Sequence, residues 1–117
     1  MNRWYKAPSM NRVRYMHASC AVGDYVYAIG GINTEGNPTG TFERLDASKT
    51  TYVWELIENK GKVNFTTRYR PVAATINDHE IVVLGMKYFS GGTCRSGAFI
   101  IDHTSKDCFE VCDYPPR

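Results

Sequence analysis

The residues best equipped for chemistry are four cysteines, Cys20, Cys94, Cys108 and Cys112, and three histidines, His17, His79 and His103. Cys108-x3-Cys112 has near-ligand spacing, and His103 and Cys94 lie close in sequence. In a strand, residues four apart point the same way, so the two thiols would share a face. Zinc ribbons instead set a turn between paired cysteines, and reduced packing thiols explain the same pattern. For nucleophilic catalysis there is no Gly-x-Ser-x-Gly elbow, and no cysteine stands in a recognisable catalytic context. His79, between Asp78 and Glu80, reads as a solvated turn residue, while His17 falls in an apolar run that would be an inner strand. Ser90-Gly91-Gly92-Thr93 is glycine-rich, but neither a helix nor Gly-Lys-Ser/Thr follows, so it reads as a loop rather than a phosphate cradle. The expectation is therefore no catalytic residue, no metal and no cofactor, and a chain that is not an enzyme.

A second group of residues repeats. Arg12, Arg14 and Tyr15 precede one apolar run, and Arg68, Tyr69 and Arg70 precede another. Arginine and tyrosine are enriched at interface hot spots, which makes these six the candidate partner contacts. A guanidinium in such a place also forks onto backbone carbonyls, so bracing remains open for Arg14, Arg68 and Arg70. Arg12 lies outside the repeated core and is the better candidate for a free contact.

The elements that position these residues come from an internal repeat. Arg14-Tyr15 recurs as Arg68-Tyr69, 54 residues on, and Val26–Gly31 recurs as Ile81–Met86, 55 residues on. The added residue lies in the turn Asp78-His79-Glu80, where strand register survives an insertion. Phe42–Asp46 matches Ala98–Asp102, and Val53–Leu56 matches Cys108–Val111. Each unit holds four strand candidates. They are His17–Val22, Tyr25–Ile29, Thr41–Leu45 and Tyr52–Ile57, then Val72–Ile76, Ile81–Leu84, Gly97–Ile101 and Cys108–Cys112. No segment has a sustained helical period. Four short antiparallel strands per repeat of about 50 residues is the pattern of a propeller blade.

Arg14…His17-Ala18, Val22–Gly31 with its closing Gly30-Gly31, Glu43-Arg44-Leu45-Asp46 and Trp54 together resemble a kelch repeat. The second unit departs from it, with Met86 after Gly85 in place of the second glycine and Phe109 in place of the tryptophan. The resemblance implies an all-β, kelch-type β-propeller segment of two four-stranded antiparallel blades. Trp4–Ala7 reads as a leftover fourth strand at the N-terminus. The divisions expected are 1–13 for that strand and linker, 14–57 for the first blade, 58–67 for the inter-blade loop and 68–117 for the degenerate second blade. Gly30, Gly31, Trp54, Gly85 and Phe109 are the structural hallmarks, with the tryptophan expected to wedge between blades.

Propellers close with about 4–8 blades, so two blades leave faces to be covered. The chain is then a fragment, a partner-completed ring or a stable truncated product. By the same resemblance, the function expected is that of a protein–protein interaction module, an adaptor or scaffold displaying its loops. The partner would be a protein or peptide, acidic ones included, together with other blades in cis or trans. Substrate recruitment as in ubiquitin-ligase adaptors is one such role. Some relatives with this fold are enzymes (copper oxidases, a sialic-acid mutarotase, nitrile-specifier proteins), but none of their residue sets maps here. A structural subunit of a large complex is the third class. Composition fits a cytoplasmic setting: 117 residues, net charge +2 and 43% hydrophobic. That charge argues for neither nucleic acid nor an anionic membrane. The apolar runs are four residues long, against the roughly 20 that a membrane span needs. Met1–Lys6 has no apolar signal core, so reduced thiols are the default.

Overall fold

The computed structural model describes residues 6–37, 39–58, 71–88 and 94–113, with backbone alone for 86–88, 94–97 and 110–113. Eight strands run β1 Ala18–Val22, β2 Tyr25–Ile29, β3 Thr41–Asp46, β4 Trp54–Glu58, β5 Val72–Thr75, β6 Glu80–Tyr88, β7 Cys94–Asp102 and β8 Cys108–Asp113. They form two antiparallel four-stranded sheets, ordered β1-β2-β3-β4 and β5-β6-β7-β8. The chain is all-β, two blades in succession, and no helix long and apolar enough to cross a membrane occurs among the described residues. The expected extra strand Trp4–Ala7 falls mostly outside the described residues, and Lys6 and Ala7 belong to no strand. The expected loop 58–67 lies outside them from residue 59 onward.

Register decides which side chains meet. Cross-strand partners share a face. In the first blade the rows Ala18–Ile29–Phe42–Ile57 and Cys20–Tyr27–Arg44–Glu55 therefore lie on one face. That face packs on the second blade, whose Ile81, Val83, Phe99, Ile101 and Cys108 complete a single core with Ala18, Val22, Tyr27, Ile29 and Phe42. Tyr27, Ile29, Phe42, Ile81, Val83, Phe99 and Ile101 are all fully buried. The inner strands β1 and β5 lie side by side, tied by the Thr75 hydroxyl donating to the Ala21 carbonyl at 2.6 Å.

The two blades differ at the end of their second strands, and one residue explains it. Gly30 and Gly31 adopt φ of 65° and 94°, the left-handed side that disfavours any Cβ, and β2 stops there. A Cβ on Gly31 would also meet the Tyr15 carbonyl oxygen at 2.8 Å and His17 Cβ at 2.9 Å. In the second blade Met86 stands where Gly31 does. The backbone stays extended, and the ladder continues from Gly85↔Gly97 to Tyr88↔Cys94. Strands β6 and β7 consequently reach nine residues each, longer than the expected Ile81–Leu84 and Gly97–Ile101.

The tryptophan equivalence shifts by one residue. Trp54 pairs with Leu45, and the residue in the matching position opposite Ile101 is Cys108, not Phe109. The β7–β8 turn is shorter than the β3–β4 turn, so the ladder meets β8 one residue earlier than sequence alignment suggests. Phe109 faces the other side of its sheet and is 46% exposed. Nor does Trp54 wedge between these two blades. Its row turns away from the second blade, it is half-buried, and its indole N–H donates to the Pro8 carbonyl at 3.0 Å. A bulge between Ala98 and Phe99 also breaks the two-residue period between Cys108 and Cys112, so the shared face expected of those thiols does not follow.

Candidate functional site

The segment ahead of β1 is fastened from below by one buried ion pair. Arg14 and Glu43 side chains are both 0% exposed and meet at 2.8 Å. Arg14 also donates to the Gly30 and Thr41 carbonyls, each at 3.0 Å, and to the Thr41 hydroxyl at 3.2 Å. Glu43 accepts two backbone N–H groups from above, Asn11 at 2.6 Å and Arg12 at 3.0 Å. Burial alone would push the Glu43 carboxyl up. The Asn11 and Arg12 N–H groups and the Arg14 guanidinium outweigh that and hold it below the ordinary carboxylate value. Arg14 is thus a brace with no surface left for a partner. Of its two expected roles, partner contact and bracing, it takes the second.

What the brace holds up is exposed. Val13 is 65% exposed, Tyr15 48% and Met16 45%. Tyr15 pairs with Ile32 through both backbone N–H groups, which joins this segment to the β2–β3 loop. Met16 sits at φ 55°, a left-handed conformation that is costly for a side chain of its size and turns the chain sharply into β1. The loop opposite is equally fixed: the Asn33 side chain accepts the Glu35 and Asn37 N–H groups at 3.0 Å. Between them lies an open cleft of about 410 Å³, lined by Asn11, Arg12, Val13, Asn33, Thr34, Thr39, Gly40 and Thr41.

Arg12 rims this cleft with its guanidinium 3.4 Å from Glu58, both side chains more than half exposed. Ion pairs of this kind contribute about 0–1 kcal/mol, so Arg12 can exchange Glu58 for another carboxylate at little cost. The structure therefore brings together Arg12 and Tyr15, sets Arg14 beneath them, and adds Val13 and Met16, which sequence reasoning passed over. Their apolar type carried no signal, and only their exposure marks them. Arg68, Tyr69 and Arg70 lie outside the described residues.

A second polar cluster stitches the blades together. Arg44 donates to the Glu55 carboxylate at 2.9 Å, the Tyr27 hydroxyl at 3.2 Å and the His103 carbonyl at 2.9 Å. Its guanidinium also lies 4.6 Å from the Tyr25 ring centroid. Lys106 reaches across from the second blade to Glu55 at 2.6 Å. His103 Nδ1 lies against the Tyr27 hydroxyl and the Arg44 guanidinium, an arrangement that suits a neutral ring accepting at Nδ1. Burial first, and the Arg44 charge second, lower the His103 pKa below the ordinary imidazole value, against a smaller opposing pull from Asp102. The unfolded chain then takes up this proton before the folded one does. Stability from this site is complete above the ordinary imidazole value and is lost as pH falls through it toward the lower folded value. The melting temperature is expected to drop between about pH 7.5 and pH 5, and His103→Gln should flatten that drop. Exposed His79, raised chiefly by Asp78, contributes with the opposite sign and remains in the variant as an internal reference.

Cys108 is 4% exposed in the shared core, and burial pushes its pKa up to about 12, which suits packing and not reactivity. Among the described residues no group of three or more His, Cys, Asp or Glu side chains is placed to hold a metal ion.

Comparison with known proteins agrees with this architecture. The kelch motif matches residues 14–60, which is the whole first blade. Over 65 residues, 52% of the chain, there is 34% identity to an F-box/kelch-repeat protein of Arabidopsis thaliana, of which the chain spans only 15%. The fold is similar to the solved structure of YjhT, with a TM-score of 0.68 and 14% identity over 93% of this chain and 30% of that one. The Arg14 brace, the paired glycines at positive φ and the four-stranded order all sit inside the matched motif, so the first blade carries a kelch motif and the chain is folded as two consecutive blades of a propeller.

Proposed function

We propose that this chain is a protein-interaction module of adaptor or scaffold type, working without catalysis and completed by further blades in a larger propeller. A cytoplasmic setting suits its free thiols. The observation that carries the reading is the exposed strip Arg12–Met16, a cation beside Val13, Tyr15 and Met16, held rigid by a buried brace beside an open cleft. Rigid display costs little ordering entropy on binding. A guanidinium next to apolar and aromatic surface suits a peptide that presents a carboxylate and an apolar side chain. The F-box/kelch name of the plant relative is compatible with such a role.

A photo-crosslinking amino acid at Val13, introduced in cells, identifies the partner, whose affinity is then measured with purified protein. Arg12→Glu and Tyr15→Ala are each expected to weaken it about tenfold or more, the effect of a hot-spot residue, with the melting curve unchanged. A partner that binds both variants as tightly as the wild type overturns the reading.

A further inference from the structure

Where the backbone turns left-handed, this chain uses glycine with two exceptions. Among the described residues Gly23, Gly30, Gly31 and Gly36 have positive φ, and only Met16, at 55°, and Lys106, at 65°, do so with a side chain. A Cβ is costly there, so each exception calls for a reason. Lys106 has its reason inside the molecule. Its Nζ reaches Glu55 of the first blade at 2.6 Å, and glycine at that position would lose the tie. Met16 is different, since it is 45% exposed and outside the shared core of the described residues.

The turn at Met16 is dictated by its neighbours. Arg14, two residues earlier, is locked to Glu43 and to the Gly30 and Thr41 carbonyls. Tyr15 and Ile32 exchange both backbone hydrogen bonds. Gly31 packs so closely that a Cβ on it would stand 2.8 Å from the Tyr15 carbonyl oxygen and 2.9 Å from His17 Cβ. These contacts fix the backbone path whatever side chain stands at position 16. Glycine would follow the same path without strain, so the fold does not ask for methionine.

We propose that Met16 is the specificity residue of the exposed strip, kept in a strained turn because it seats an apolar side chain of a peptide whose carboxylate pairs with Arg12. The side chain stands on one surface with Val13 and Tyr15, and a flexible, polarizable thioether adapts to apolar partners of varied shape. Arg12 supplies the charge complement. Its described counter-charge, Glu58, is exposed and 3.4 Å away, so a partner's carboxylate replaces it at little cost. This inference rests on the interaction-module reading and deepens it: it names the residue that selects the peptide's apolar side chain, and the fold stability given up to keep it.

Two readouts of opposite sign test it. Met16→Gly should melt about 3 °C or more above the wild type, because relief of the turn outweighs the extra freedom that glycine gives the unfolded chain. Met16→Ala keeps the Cβ and the strain, so it should melt with the wild type. Binding is read on an array of short synthetic peptides, each carrying one glutamate and, at varied spacing from it, phenylalanine, leucine or serine. The tightest binder is then titrated by fluorescence anisotropy. Met16→Gly and Met16→Ala should both bind it about tenfold more weakly. Met16→Leu, apolar and of similar size, should keep most of the affinity, which a merely structural role would not require. A Met16→Gly variant that melts at or below the wild type overturns the proposal, because the side chain then serves the fold. So does one that binds as tightly as the wild type while Arg12→Glu does not, a result that leaves the interaction-module reading standing. A wild type that captures no peptide of the array removes the carboxylate-and-apolar ligand, and this inference with it.

Discussion

Arg14→Ala is expected to destabilise the protein by about 3–5 kcal/mol, the cost of breaking a buried pair by removing one partner. The reason is what would be left behind. Glu43 has 0% side-chain exposure and would keep a charge with no guanidinium beside it. The carbonyls of Gly30 and Thr41 would lose their shared donor as well. Arg14→Lys should recover only part of the loss, because one ammonium cannot fork to Glu43 and two carbonyls in different directions. Replacing both members, Arg14→Met with Glu43→Leu, should cost clearly less than Arg14→Ala, since no buried charge then remains. The Asn11 and Arg12 N–H groups that Glu43 had accepted are at the exposed end and can turn to water. Urea unfolding of the four proteins gives the comparison. A single-variant loss within about 1 kcal/mol of wild type would show that the pair contributes no more than an exposed one. Acid has a related effect: Glu43 is held below the ordinary carboxylate value, so its contribution is present above that value and is lost as pH falls through the folded one.

Much of this architecture was legible because repeats state their period openly. Four strands per unit, the Gly30-Gly31 break and Arg14 as a brace all follow from residue type and spacing. Where the reading failed, the reason was geometric. Sequence alignment sets Phe109 against Trp54 because both are aromatic at similar distance from a strand. The ladder instead sets Cys108 there, because turn length fixes which residue meets Ile101. One residue of slip exchanges the two faces of a strand, and with them a core residue for an exposed one. The inter-blade stitch of Tyr27, Arg44, Glu55, His103 and Lys106 was also invisible. Arg44 and His103 are 59 residues apart, and nothing local announces that they touch. For the exposed strip, Arg12 was legible as a residue outside the repeat, whereas Val13 and Met16 became candidates only through their exposure.

Two phenylalanines in the second blade turn that lesson into a measurement. Phe99 is 0% exposed, at the centre of the joint with Phe42, Val83 and Ile101 around it in the shared core. Phe99→Ala removes a ring from the only apolar layer that holds the blades together among the described residues, and it should cost about 3–5 kcal/mol. A domain's whole stability is about 5–15 kcal/mol, so the variant should be largely unfolded at moderate temperature, melting about 10 °C or more below wild type. Phe109 has the better claim from sequence, since it stands in the hallmark aromatic position. Yet its ring is 46% exposed on the face turned away from the joint. Phe109→Ala should therefore cost about 1 kcal/mol or less in the monomer, as truncations away from the core do. The pair is decided by side-chain direction alone, because residue type, sheet and deleted atoms are the same. Equal losses at the two positions, read from thermal melts at dilute protein, would mean that the second blade packs through its other face and would reverse the blade order described for this chain.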